Sequence, residues 1–169
     1  MEDGPFVPEN FMVNVNQTEP KCLTRDFVPY VMNWFADPAN VEAVLAQPDY
    51  TTFARKLEGV PNFSQPNIHG SGHFGTGGAL GTMGDQYNSP GDPLFYLHHG
   101  NIDHVLWKWQ QLDLDTRLHQ VGGPVAPLDF GGANVTLDFE IDMDEVAGPF
   151  KLRQLLDTEG EVFCYTYEQ

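Results

Sequence analysis

The sequence predicts a mainly α domain with β elements at its edges, and three features carry that reading. Residues 93–113, PLFYLHHGNIDHVLWKWQQLD, run without a break from an Asp-Pro pair at 92–93. Two shorter segments, ANVEAVLAQ and YTTFARKLEG, each stand behind an aspartate suited to a helix N-cap. Only toward the C-terminal end does the pattern become alternating, in NVTLDFEIDM at 134–143. With 169 residues, 41% of them hydrophobic, the chain suffices for one domain with a sizeable core.

Taken in order, residues 11–15, FMVNV, read as a short strand. Asp37 caps a helix with Pro38 at its first position, and Pro48 stops it. Asp49 caps a second helix, which Gly59 closes. Residues 60–91 are rich in glycine, proline and asparagine and read as a long loop with a turn around His69 and His73. Asp92-Pro93 opens the strongest helix, where Phe95, His99, Ile102, Leu106 and Trp109 recur every three or four residues. That spacing puts His99 on the buried stripe, while His98 lies about 100° away around the helix. Val135, Leu137, Phe139, Ile141 and Met143 share one face of a half-buried strand, and EVFCYTY at 161–167 reads as another.

The net charge of −16 argues against nucleic acid, since no basic stripe exists to neutralise phosphates, and against an anionic membrane surface. No apolar run approaches the ~20 residues of a membrane span. Cys22 and Cys164 fit one disulfide, with two buried thiols as the alternative. Sequons at Asn16, Asn62 and Asn134 point to a secreted glycoprotein. The opening MEDGPFVPEN has neither a basic segment nor an apolar run, so Met1 reads as a cytosolic start or as an internal residue of a secreted precursor.

His69 and His73 sit four apart, a spacing that aims both imidazoles at one point if the backbone is helical. Gly70 and Gly72 weaken such a helix by roughly 1 kcal/mol each. A bound metal is one thing that offsets the cost; the alternative is a glycine-rich loop whose histidines are merely polar. With His99 added, three imidazoles and no thiolate suit copper, zinc, iron or nickel, and three ligands with an open position suit chemistry on a small molecule. Asp103, four residues beyond His99, is placed to sit beside it as a supporting carboxylate. Phe95, Trp107 and Trp109 read as core.

HGSGH followed by SPGDPLFYLHHGNIDHVLWKWQQLD resembles the second copper-binding half of the type-3 copper proteins: tyrosinases, catechol oxidases and hemocyanins. The local pattern is most similar to the short fungal enzymes, and the likeness extends to CLTRDF upstream and to FCYTYE, whose Tyr165-Thr166-Tyr167 looks like a closing tyrosine motif. The resemblance implies that residues 1–169 form half of a type-3 copper four-helix-bundle domain with peripheral β-strands. It implies that His69, His73 and His99 hold one copper of a two-copper site, with His98, Asp103 and Phe95 around them. It implies oxidation of o-diphenols to o-quinones with O2, a phenolic small molecule being the partner.

Three departures qualify the likeness. No histidine precedes His69, so the first copper site is absent and the chain reads as the C-terminal half of a catalytic domain, inactive on its own. Gly70 stands where monophenol-hydroxylating members commonly carry asparagine, which points to diphenols; Glu58 is the nearby candidate to hold a water, and Gly70 would lie on the substrate side. His104 replaces the usual arginine, exchanging a permanent charge for a titratable one. The rival readings are a non-enzymatic half-domain binding one copper and, below it, an oxygen carrier of hemocyanin type.

Overall fold

The computed structural model describes residues 3–13, 19–61 and 65–168, which form two compact units. The first comprises residues up to Val44 together with Lys56–Asp103; the second comprises Leu45–Arg55 and His104 onward. Helices are α1 (Pro29–Phe35), α2 (Pro38–Leu45), α3 (Tyr50–Glu58), α4 (Ile68–Gly77), α5 (Pro93–Gln111) and the short α6 (Leu114–Arg117). Among the described residues there are also short 3-10 turns and two antiparallel strand pairs: β1 (Met12–Val13) with β2 (Lys21–Cys22), and β3 (Glu140–Ile141) with β4 (Phe150–Lys151). The mainly α fold with peripheral strands is therefore as the sequence predicts. None of the described helices is long and apolar enough to cross a membrane.

The three aspartates act as helix starts. Asp37 accepts from the Asn40 amide at 3.2 Å, Asp49 from the Thr52 amide at 2.9 Å, and Asp92 from the Leu94 amide at 2.9 Å. Gly59, with φ at +72°, ends α3 in the left-handed conformation that glycine adopts without strain. Asp92 is fully buried, and its carboxylate also takes both arms of Arg25, Nε at 3.1 Å and Nη2 at 2.8 Å. That pair pins the start of α5 to the irregular segment after β2.

In the first unit α1 lies on α4. The Val28 amide donates to the Gly75 carbonyl at 2.7 Å and the Asp26 amide to the Thr76 carbonyl at 3.1 Å. A Cβ on Gly75 would stand 2.0 Å from Met32 Cγ, so this contact requires glycine. Leu23, Val44, Ile68 and Met83 are among the fully buried apolar side chains here. In the second unit Trp109 is wholly buried. Its ring meets Phe53 at 4.9 Å, its indole N–H donates to the Gln47 carbonyl at 2.8 Å, and the Arg117 guanidinium covers it at 4.3 Å.

Several expectations are corrected. Residues 68–77 form a helix, not a turn within a loop, because the Asn67 side chain caps the Gly70 amide and Ser71 Oγ donates to the Ile68 carbonyl. The strand at 11–15 is confined to Met12–Val13, residues 14–15 lying outside the described set. The strand at 134–143 reduces to Glu140–Ile141. A turn closes from Phe139 to Thr136, although Val135, Leu137, Phe139 and Ile141 keep the alternating half-buried face. Met143 is exposed. Residues 161–167 are irregular, with Cys164 at positive φ and the Tyr165 amide bonded to the Thr158 carbonyl. Cys22 and Cys164 are free, exposed thiols, neither disulfide-bonded nor buried. Helix α1 has no counterpart in the sequence reading, because it has no side-chain N-cap and no buried face to imprint a stripe.

Candidate metal centre

Two helices of the first unit supply the site. On α4, His69 and His73 are one turn apart on one face; on α5, His99 faces them. His73 Nε2 lies 3.1 Å from His69 Nε2 and 3.2 Å from His99 Nε2, and the three nitrogens lie within 4.8 Å of one another. A metal about 2.0 Å from each of two imidazole nitrogens, in tetrahedral geometry, holds them about 3.3 Å apart. The spacing therefore fits three ligands on one ion. This is the one such group of histidine, cysteine and carboxylate side chains among the described residues.

The outer nitrogens orient two of these rings. His73 Nδ1–H donates to the Met83 carbonyl at 2.9 Å, and His69 Nδ1 meets Glu58 Oε2 at 2.9 Å. Each contact places the proton on Nδ1 and turns the Nε2 lone pair inward, which is what a metal ligand needs. Burial holds the His73 and His99 imidazoles below their ordinary range, so they stay neutral and able to donate a lone pair. Burial also works against the Glu58 carboxylate, yet the hydrogen bond with His69 keeps it below the usual carboxylate range. An anionic Glu58 makes His69 a stronger donor. Phe95 lies against His99 with ring centroids 4.1 Å apart.

The sequence-predicted residues fall out as follows. His69, His73 and His99 come together. His98 does not join them: its Nε2–H donates to the His69 carbonyl at 2.8 Å, and burial drives its pKa down to about 4. A carboxylate meets one of these imidazoles: Glu58 on α3 lies against His69 Nδ1 and orients that ring. Asp103 is half-buried, one turn beyond His99. Gly70 is buried under the α4 cap, where a Cβ would stand 2.6 Å from Asn67 Oδ1. The Met83 carbonyl went unnoticed in the sequence, since a backbone acceptor carries no residue signature. In the second unit His104 stacks on Tyr167 at 4.4 Å, within 18° of parallel, which gives the closing tyrosine motif a packing role.

Comparison with known proteins decides the family. Residues 3–112 match the family described as the common central domain of tyrosinase. The chain belongs to the tyrosinase family. It is 30% identical over 161 residues to the tyrosinase-like protein phomQ1 of Diaporthe leptostromiformis, covering 88% of this chain and 39% of that protein. It is 33% identical over 172 residues to the N-acetyl-6-hydroxytryptophan oxidase ivoB of Emericella nidulans, covering 96% of this chain and 45% of that one. The solved polyphenol oxidase of Thermothelomyces thermophila, in a G292N variant, superposes with a TM-score of 0.83 at 26% identity; the match covers all of this chain and 51% of that one. This tyrosinase-family chain thus spans about half the length, or less, of these relatives. The family implies copper, and three imidazoles without a thiolate are a donor set that copper accepts.

Proposed function

We propose that His69, His73 and His99 hold one copper of a tyrosinase-family oxidase site, and that residues 1–169 form the part of the catalytic domain carrying that ion. The observation that carries the proposal is the convergence of three Nε2 atoms at 3.1 and 3.2 Å with two of the rings oriented from behind. Copper, when bound, supplies the electron-transfer chemistry with O2. The chain's own residues prepare it. Glu58 and the Met83 carbonyl keep the His69 and His73 protons on Nδ1, leaving Nε2 free to bind. Phe95 packs on His99 and limits its rotation.

The reaction proposed for the complete site is oxidation of o-diphenols: two diphenols and one O2 give two o-quinones and two waters. Gly70 offers no side-chain group beside the first ligand to assist deprotonation of a monophenol, which is the ground for preferring diphenols. Such proteins being secreted is part of the same proposal, with Asn134 as an exposed sequon; Asn16 and Asn62 lie outside the described residues. The second reading, a half-domain that binds one copper without turnover, is favoured by the single three-histidine group among the described residues.

Copper titration and oxygen uptake on a catechol test the proposal together. The 169-residue chain should take up one copper, and His99→Gln should abolish uptake. Oxygen uptake is expected only from a longer polypeptide that brings further histidines, and on diphenols before monophenols. Equal copper binding by the His99→Gln variant refutes the ligand set. Robust turnover by the 169-residue chain refutes the one-copper assignment, and none from the longer polypeptide leaves the half-domain reading in its place.

A further inference from the structure

We propose that His98 is a positioning residue that locks α4 against α5 and so sets the gap between the His69–His73 pair and His99, with Gly72 left bare to admit its ring. The inference rests on the copper-site reading above. Two ligands ride on α4 and the third on α5, so the separation of these helices decides whether three nitrogens converge. Besides the ring contacts among the histidines themselves, a side-chain-to-backbone hydrogen bond crosses that gap at the level of the ligands. His98 precedes the ligand His99, and its Nε2–H donates at 2.8 Å to the carbonyl of the ligand His69.

The fit around that contact is close. The His98 ring lies within 9° of parallel to the His69 ring, with centroids 5.8 Å apart. A Cβ on Gly72 would stand 2.3 Å from His98 Nδ1, 2.4 Å from its Cγ and 2.5 Å from its Cε1. Such distances are far inside van der Waals contact, and the obstacle is a ring held at its far end by a hydrogen bond. Any other residue at 72 must push the helices apart or eject the ring. Nε2 is committed to the carbonyl and Nδ1 is covered by α4, so neither nitrogen can reach a metal. His98 therefore contributes distance and orientation, not a bond to the ion.

The test is competition for Cu(II) against a chelator on the full 169-residue chain, with the electron paramagnetic resonance spectrum recorded for each variant and folding checked by circular dichroism. His98→Gln keeps an N–H donor at similar reach and should hold affinity within about threefold and leave the spectrum unchanged. His98→Leu removes the donor and should weaken binding about 10- to 100-fold with altered copper hyperfine splitting. Gly72→Ala should weaken it comparably, and the double variant should lose less than the product of the two, because both act on one contact. A His98→Leu chain that binds copper as tightly as the parent with the same spectrum overturns the inference. So does a His98→Gln chain as weak as His98→Leu. If His98→Leu does not fold, Gly72→Ala decides: unaltered copper affinity overturns the proposal and a loss supports it. A parent chain that binds no copper overturns the site reading and this inference with it.

Discussion

Removing the Asp92 carboxylate is the sharpest structural test of how α5, and with it His99, is held. The Asp92 side chain is fully buried and makes a two-pronged pair with Arg25 at 2.8 and 3.1 Å, while Arg25 keeps only 16% of its side chain accessible. Truncating one partner of a buried pair strands the other charge, at a cost of about 3–5 kcal/mol. Because Arg25 retains some water, the lower figure applies. Loss of the Leu94 cap adds about 1 kcal/mol. Asp92→Ala should therefore cost about 4 kcal/mol, against a folding free energy of about 5–15 kcal/mol for a domain of ordinary stability. In a chain of this length that corresponds to a fall in Tm of roughly 8–16 °C. Thermal unfolding followed by circular dichroism measures it. The companion variant Asp92→Ala/Arg25→Met removes both charges and should be less destabilised than Asp92→Ala alone. A fall below 3 °C for the single variant, or a double variant worse than the single, refutes the argument.

Two further outcomes follow from the same geometry. Glu58→Gln keeps an oxygen near His69 Nδ1 but removes the charge that strengthens the ligand, so copper affinity should drop about tenfold in chelator competition; an unchanged affinity would remove Glu58 from the site. Asp85 accepts from the Asn88 side chain at 2.9 Å and from the Tyr87 and Asn88 amides at 2.9 and 3.1 Å, and the Asn88 side-chain bond leads in holding its carboxyl below the ordinary 3.8. A folded-state pKa depressed in this way gives stability that is present above the unfolded value and lost as pH falls through the folded one. Asp85→Ala should accordingly lower Tm by a few degrees at pH 7 and by progressively less as pH falls below 3.8; a gap of constant size down to pH 2.5 contradicts that account.

What the sequence determined by itself is what short-range chemistry writes. Asp37, Asp49 and Asp92 announce helix starts because a carboxylate two or three residues before a free amide is a local device, and all three accept those amides here. The step of three and four from Phe95 to Trp109 sets His99 apart from His98 by rotation, and the structure gives the two histidines different partners. The predicted buried stripe is corrected, since of its members only Trp109 is buried and His99 is half-buried, facing α4. The family was legible for the same reason, since its motif is a run of such local spacings. The tertiary structure decided whatever depends on a partner distant in the chain. Whether GSGHFGTGG is a loop or a helix rests on α1, His98 and the Gly84 backbone filling the places where side chains would be, and composition alone favours the loop. The extent of pairing at 134–143 depends on where 150–153 meets it, so the alternation survived while most of the ladder did not. The groups behind the ligands were the least legible: a Met83 carbonyl and a Glu58 eleven residues upstream of His69 become partners only when the chain folds back, because hydrogen bonds are directional and act over about 3 Å, whatever the separation in sequence.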